Sequence, residues 1–517
     1  MLYDAIIIGG GHNGLICASL LAKRNKKVIV CEARSELGGL CANESISNSS
    51  IPRIAHITSG LHPNVRLSLG ISNPKTNKQL RSICLSETGE HLKLSNSIQD
   101  NWNEIKKHSS KDAENYLKLE KKLSLFSKTL GSFMHSSPPR IMQKNFSDNF
   151  KLFKLGLNVR LMGKKNFNEF ARMIGLNIAD ELEDNFTNPL LQGLIAHDAV
   201  IGSNLGPRSP GTVINLLYRM AIQDNSLFGG IQSIKAGEIS ITKVLEKKAI
   251  DNGVEIMTSS AVKRCLVEKD CIKGVELENG ETIQSDTVIS NADPKSTYFC
   301  LLGSEYLDTD FIRRVKHYRS KGRVAKLNLL LNKLPKFKNL DSSDLNARLV
   351  FAPSIDYIEE NFNLSKFENL SSEPILEICF PTLNNSKSPK NGQHVMSILV
   401  QYSAYNLRGG WNNKKDEYIK SIISLLKKFA PDIDSCIDYK DFLSPNDIED
   451  QYNVTGGHWH HGEIQIDQLF MLRPIPGYAQ YKTPMKGLYL CGAGTHPGGG
   501  INGLPGKNAA EVVMKNF

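Results

Sequence analysis

The chain has 517 residues, 40% of them hydrophobic and 22% charged, with a formal net charge of +10. That balance excludes a disordered or fibrous chain and allows two sizeable cores. No run approaches the roughly 18 apolar residues of a membrane span, and the scattered Lys and Arg carry no motif for a nucleic-acid partner.

The first elements read as strand, turn, helix, strand. Ala5–Ile8 is a continuous apolar run, as a parallel strand covered on both faces requires. Gly9, Gly11 and Gly14 follow as G-x-G-x-x-G, and His12 and Asn13 lie inside that turn. The first Gly permits the turn, the second admits a pyrophosphate to the backbone, and the third lets helix and strand pack closely. A helix from about Asn13 to Lys23 then aims its N-terminal amides at the phosphates. "KKVIVCE" is the second strand, and Glu32 at its end is placed to accept hydrogen bonds from both ribose hydroxyls of an adenosine. Ala33, Arg34 and then Gly38, Gly39 and Leu40 extend the unit, an E-x5-GG pattern that resembles flavoproteins and on that resemblance favours FAD over a nicotinamide dinucleotide.

"GGLCANESI" (38–46) begins like a flavin-linked redox disulfide, Cys-x4-Cys, but Ile46 stands where the second thiol belongs. Ten cysteines occur without C-x-x-C or metal-ligand spacing, which suggests a reducing compartment. The strand beginning at Tyr3 leaves no room for a signal peptide or presequence, so a cytoplasmic protein is expected.

Residues 150–167 interleave Lys151, Lys154, Arg160, Lys164 and Lys165 with apolar side chains. The segment reads either as a basic helix on a membrane surface or, as we favour, as a helix with a solvated face in the domain capping the site. Asp198 in "HDAVIG" is a candidate acid or base, or a cap of the next turn. Lys326 in "GRVAKLNLLLNKLP" sits in an apolar strand that a Lys should avoid. It is a candidate to face the flavin, the alternative being an edge-strand Lys whose head reaches solvent. His458, His460, His461 and Glu463 form a polar cluster with no metal motif. His461 is the candidate wall of an active site, a structural turn being the alternative. Cys41, lacking a partner, reads as packing.

At the C-terminus, "GLYLCGAG" (487–494) is a strand that ends on Gly492 and Gly494, with Ala493 between them an expected cofactor contact, followed by Gly498-x-Gly500-x-x-Gly503 and one helix. With no second strand and no ribose acid to follow, this is not a second dinucleotide unit. Instead, Gly500, Ile501, Asn502 and Gly503 bring a helix N-terminus to a ligand. The layout resembles that of flavoproteins, in which this element meets the flavin, and it implies that both ends of the chain build one FAD site. His496, within that loop, orients it. The missing thiol and the missing nicotinamide domain exclude a disulfide reductase.

"RPIPGYAQYKTPMKGLYLCGAGTHPGGGINGLPGKNAA" (473–510) resembles the C-terminal signature of phytoene desaturase-like flavoproteins, in the branch of pyridine nucleotide-disulfide oxidoreductase domain-containing proteins. Residues 244–294, ending on "SNADP", are similar to the family's central segment, while "KAGEIS" (235–240) departs from its glycine-rich turn. The resemblance implies an α/β fold of the amine oxidase type: a Rossmann-type FAD-binding domain with an inserted α+β substrate domain. FAD-binding segments are expected at 1–75, 229–295 and 456–517, a helical lid at 76–228 and a mixed sheet at 296–455. Val262 joins the expected cofactor contacts. The implied activity is hydride transfer from a largely apolar small molecule to flavin N5, with oxygen, quinone or NAD(P) as acceptor. In the amine oxidase group a Lys so placed holds a water against N5. Flavin-dependent isomerisation and a regulatory flavin-binding role remain the alternatives. For eukaryotic relatives the family implies the mitochondrial matrix.

Overall fold

The structure, a computed structural model, describes residues 2–46, 49–72, 79–140, 146–234, 240–384 and 392–517. Distant stretches of chain meet in one five-stranded parallel sheet. Its order is Leu488–Leu490, Val288–Ser290, Ala5–Ile8, Val28–Cys31 and Glu255–Met257. Ala5–Ile8 is central, and the pleat sends its side chains alternately to two cores. Ala5 and Ile7 pack with Leu15 and Ala18 of the helix His12–Ala22, while Ile6 and Ile8 pack against Val275 and Ile283. Those two residues belong to a three-stranded antiparallel sheet, Val262–Glu268, Cys271–Leu277 and Thr282–Gln284. Burial on both faces is why this strand carries no polar alternation.

The C-terminal helix Leu504–Val513 crosses the first helix at close range. A Cβ on Gly506 would stand 2.2 Å from Asn13 O, so only glycine allows that approach. The linker at 453–457 is anchored by the "SNADP" turn: Asp293 accepts the Thr455 N–H (3.0 Å) and caps Lys295 N (2.9 Å).

A second, seven-stranded sheet is ordered Ile437–Leu443, Val324–Leu331, His394–Gln401, Leu376–Cys379, Arg348–Phe351, Ser82–Cys84 and Leu92–Leu94. The last two strands come from the segment read as helical; each has only three residues, too short for its alternation to show against the long helices that follow. One face, with Leu327 and Leu329, packs on Ile422 and Leu426 of the helix Trp411–Phe429. Lys326 lies on the opposite face of a central strand, so the edge-strand alternative is set aside.

Helices between residues 98 and 222 form a lobe over that opposite face. The basic stretch 150–167 is not one helix: it breaks at Gly163, whose φ of 80° is left-handed, between Phe146–Leu161 and Gly163–Gly175. Phe150, Phe153, Leu157 and Leu161 face outward there, so the exposed side is apolar as well as basic. No helix among the described residues is long and apolar enough to cross a membrane. The "KAGEIS" turn, with Gly237, falls largely outside the described residues.

The lobe meets the sheet through backbone. On the helix Pro189–Val200, a Cβ at Gly193 would stand 1.9 Å from Ala352 O. Carbonyl backbone cannot yield as a side chain does, so Gly193→Ala should destabilise the fold by about 1–3 kcal/mol. Urea unfolding tests this, and an unchanged midpoint would refute the close docking.

Candidate functional site

A single cavity of about 960 Å³ runs between the parallel sheet, the seven-stranded sheet and the helical lobe. It is at the upper end of the roughly 300–1,000 Å³ range of small-molecule and cofactor sites. Gly9, Gly11, His12 and Asn13 line it from the first turn, and Glu32, Ala33, Arg34, Gly38, Gly39 and Leu40 from the second strand and the loop after it. Val262 lines it from the small sheet, and Ala493, Gly500 and Ile501 from the C-terminal loop. Residues 9 and 500, nearly the full chain apart, therefore share one wall.

The glycine turn is built as its spacing predicts. Gly9 takes a φ of 95°, and a Cβ on Gly11 would meet Asn291 Nδ2 at 2.7 Å. Gly14 does not reach the cavity: its Cβ would stand 2.2 Å from Gly9 O, so it serves helix–strand packing. Gly492, Asn502 and Gly503 also lie behind the wall. Asn502 Oδ1 accepts the Leu504 N–H at 2.8 Å and starts the last helix, and a Cβ on Gly503 would meet Ile16 at 2.5 Å. Glu32 accepts the Gly10 N–H at 2.6 Å and the Arg34 N–H at 2.9 Å. Arg34 pairs with Glu44 at 2.5 Å and lies over the Tyr452 ring.

The histidine cluster is a turn, and its organiser is a residue that no local spacing marks. Arg473 is fully buried and donates to the carbonyls of His460 (2.5 Å), Gly462 (3.2 Å), Glu463 (3.0 Å) and Ala493 (3.0 Å). One guanidinium thus ties the turn to the loop after the last parallel strand. His461, with a φ of 55°, lines the cavity beside His12. Burial lowers both imidazoles to about 4, so each stands neutral at pH 7. His12 Nε2 and His461 Nδ1 have no hydrogen-bond partner. His496 lies deeper, with Nε2 3.1 Å from Phe133 O, which holds the C-terminal loop to the lobe. Among the described residues no group of three or more His, Cys, Asp and Glu is arranged to hold a metal ion.

At the far end, register brings charge together. Lys326, Leu399 and Glu377 are direct neighbours across three adjacent strands and therefore share a face. Leu399 and Glu377 line the cavity, but Lys326 does not, because His56 covers it. His56 Nε2 meets Glu377 Oε1 at 3.0 Å and Nδ1 meets Lys326 Nζ at 3.0 Å. An ionised carboxylate only accepts, which places a hydrogen on Nε2 and leaves Nδ1 to accept from Lys326. Burial lowers the Lys326 ammonium from 10.5 to about 7. Lys326 reaches the cavity through the imidazole of His56.

Asp198 belongs to the same charged group. It is absent from the cavity wall and held by Arg348, with Nη1 at 3.2 Å and Nη2 closer, while Arg219 Nη2 lies 3.3 Å away. Burial opposes its ionisation, yet Arg219 and Arg348 hold its pKa below the ordinary carboxylate value. A carboxylate so engaged is a poor base; Asp198 positions guanidiniums. Arg348 Nε also donates to Glu377 at 2.6 Å. The signal that singled out Lys326, a charge inside an apolar strand, also marks Arg348 in "RLVF" and Glu377 in "LEIC".

Cys41 has no thiol partner; all ten cysteines are free. Burial pushes its pKa up to about 12, so it remains a protonated, packed side chain.

The depressed Lys326 value carries a sign. Below about pH 7 both folded and unfolded chains hold its proton, and the folded state bears the cost of the buried charge. Between about 7 and 10.5 only the unfolded chain is protonated, so stability from this group rises with pH, by up to about 1.4 kcal/mol per unit. Wild type should therefore gain on Lys326→Met in urea unfolding as pH is raised from 7 to 9. A pH-independent difference would refute the buried, depressed ammonium.

Comparison with known proteins agrees with this geometry. Residues 7–69 match the NAD(P)-binding Rossmann-like domain family. Pyridine nucleotide-disulfide oxidoreductase domain-containing protein 2 of Rattus norvegicus is 27% identical, covering 100% of this chain and 94% of the relative. A component of limonene dehydrogenase from Castellaniella defragrans is 24% identical over 99% of this chain and 95% of its own. The lycopene-forming phytoene desaturase of Pantoea ananas is 24% identical over 66% of each chain. Among solved structures, cyclohexylamine oxidase from Brevibacterium oxydans superposes with a TM-score of 0.58 at 14% identity, covering 99% of both chains. The fold is thus the Rossmann-type α/β architecture of the amine oxidases, with mixed sheets. In sequence, this chain is a full-length relative of pyridine nucleotide-disulfide oxidoreductase domain-containing protein 2 and, at greater distance, of the phytoene desaturases.

Proposed function

We propose that the chain is an FAD-dependent oxidoreductase that takes a hydride from a C–H bond of a largely apolar small molecule. The observation that carries this is the continuity of the cavity, which joins a complete dinucleotide turn at one end to a chamber enclosed by the lobe and the second sheet at the other. The residues present fit FAD. The turn leaves no room for side chains at Gly11 and Gly14, and Glu32 closes the second strand. Asn13 Oδ1 and His12 Nε2 are buried there without hydrogen-bond partners. Buried polar atoms of this kind call for a ligand or water.

When bound, FAD supplies the hydride-accepting chemistry. The chain's part is to enclose and orient the substrate and to handle the proton. Ile201, Ile222, Leu399 and Ile464 give the chamber apolar walls. His12 and His461 line the cavity uncharged, and the His56–Lys326 pair offers an exchangeable proton near neutral pH, held at Lys326 Nζ. The relatives named for limonene and phytoene support an apolar substrate.

Purified protein should show oxidised-flavin absorbance, and Glu32→Ala should lose most of its FAD while keeping its circular dichroism. A colourless protein that takes up no FAD overturns the proposal, and a product isomeric with its substrate would replace oxidation by isomerisation. After anaerobic photoreduction, air reoxidation slowed about tenfold or more in Lys326→Met would identify oxygen as acceptor. Reoxidation that only quinone or NAD(P) accelerates would remove Lys326 from the electron-transfer step.

A further inference from the structure

The helix Thr212–Ile222 turns one face to the chamber, carrying Asn215, Tyr218, Arg219 and Ile222. The Tyr218 hydroxyl is satisfied, donating to Gly499 O at 2.6 Å. Asn215 and Arg219, one helical turn apart, are not. Asn215 is 3% exposed, and neither its Nδ2 nor its Oδ1 has a partner. Arg219 Nε and Nη2 also lack hydrogen bonds, although Nη2 stands 3.3 Å from Asp198 Oδ1. Guanidinium nitrogens and an amide buried with open valences carry a substantial desolvation cost unless a ligand or water meets them.

The carboxylates nearest Arg219 are already engaged by other groups. Asp198 has both oxygens engaged by Arg348, and Glu377 is held by Arg348 and His56. Among the described residues, Asp198 and Glu377 are the carboxylates that act on Arg219 and Arg348, while Asp441 as well as Glu377 acts on Lys326. Ile201, Ile222 and Ile464 give the chamber apolar walls, with the His460 imidazole near Arg219.

We propose that the substrate of this cavity is an amphiphile, an apolar body ending in a carboxylate that Arg219 binds as a fork and Asn215 completes. The proposal rests on the chamber being the substrate site of the oxidoreductase described above. It refines the apolar substrate into a carboxylic acid of apolar chain, and it makes Arg219 a binding residue and Asp198 its positioning residue.

The test uses the holoprotein with two probes, dodecanoate and methyl dodecanoate, read by perturbation of the flavin spectrum and by calorimetry. Wild type should prefer the carboxylate by about tenfold or more, the scale of a charge-assisted hydrogen bond. Arg219→Met should lose that preference while still binding the ester and retaining FAD. Arg219→Lys, which keeps the charge without the fork, should fall between, and Asn215→Leu should weaken the acid more than the ester. Equal affinity of wild type for acid and ester would mean that water alone satisfies the pair and would overturn the proposal. So would a preference that survives in Arg219→Met, or failure of both probes to bind. If Arg219→Met does not fold, Arg219→Lys and Asn215→Leu decide by the same criterion. Calorimetry reads the acid preference even in protein lacking FAD, so failure of the flavin assignment and failure of this one are separable.

Discussion

Arg348 places a full positive charge where no solvent reaches it. A charge can remain there only if opposite charge and hydrogen bonds meet it in good geometry. They come from two directions: Asp198 from the helical lobe and Glu377 from the neighbouring strand of the sheet. Breaking such a pair by removing one partner typically costs about 3–5 kcal/mol, because the remaining charge is stranded. The guanidinium therefore clamps the lobe onto the sheet, and the cavity between them keeps its shape because the clamp has one satisfactory arrangement. Gly193 permits the same approach by letting the lobe's helix meet Ala352 backbone.

The opposite end is held by a second buried guanidinium that uses carbonyls instead of carboxylates. Arg473 gathers backbone oxygens from the histidine turn and from Ala493, and so attaches the lip of the chamber to the last parallel strand. Between the two clamps the cavity changes character, from a glycine-rich wall with an acid at its end to apolar walls interrupted by Asn215 and Arg219. That gradient suits a dinucleotide at one end and an amphiphilic substrate at the other.

Legibility in the sequence followed the range of the interaction. The first strand, the glycine turn, the helix and Glu32 were all readable because each depends on neighbours within a few residues, and the spacing of the glycines states the backbone geometry outright. The strands Ser82–Cys84 and Leu92–Leu94 were not, because three residues carry no period; the first is a strand through its partner Arg348–Phe351 and the second through Ser82–Cys84. Lys326 was correctly marked as anomalous, but its cover, His56, is 270 residues away. Arg219 lay inside an ordinary-looking amphipathic helix and gave no local sign of facing a cavity.

The amino-acid sequence by itself determined the dinucleotide unit, the return of the C-terminal loop to it, and the absence of a redox disulfide, since each rests on residue type at short spacing. Only the tertiary structure decided which charges face the chamber. Asp198 and Lys326 moved behind its wall, and Arg219, Asn215, Glu377 and His56 came onto it. The physical reason is that a buried charge takes its role from whatever neutralises it. Those partners arrive from other strands and helices, at separations that no local pattern records.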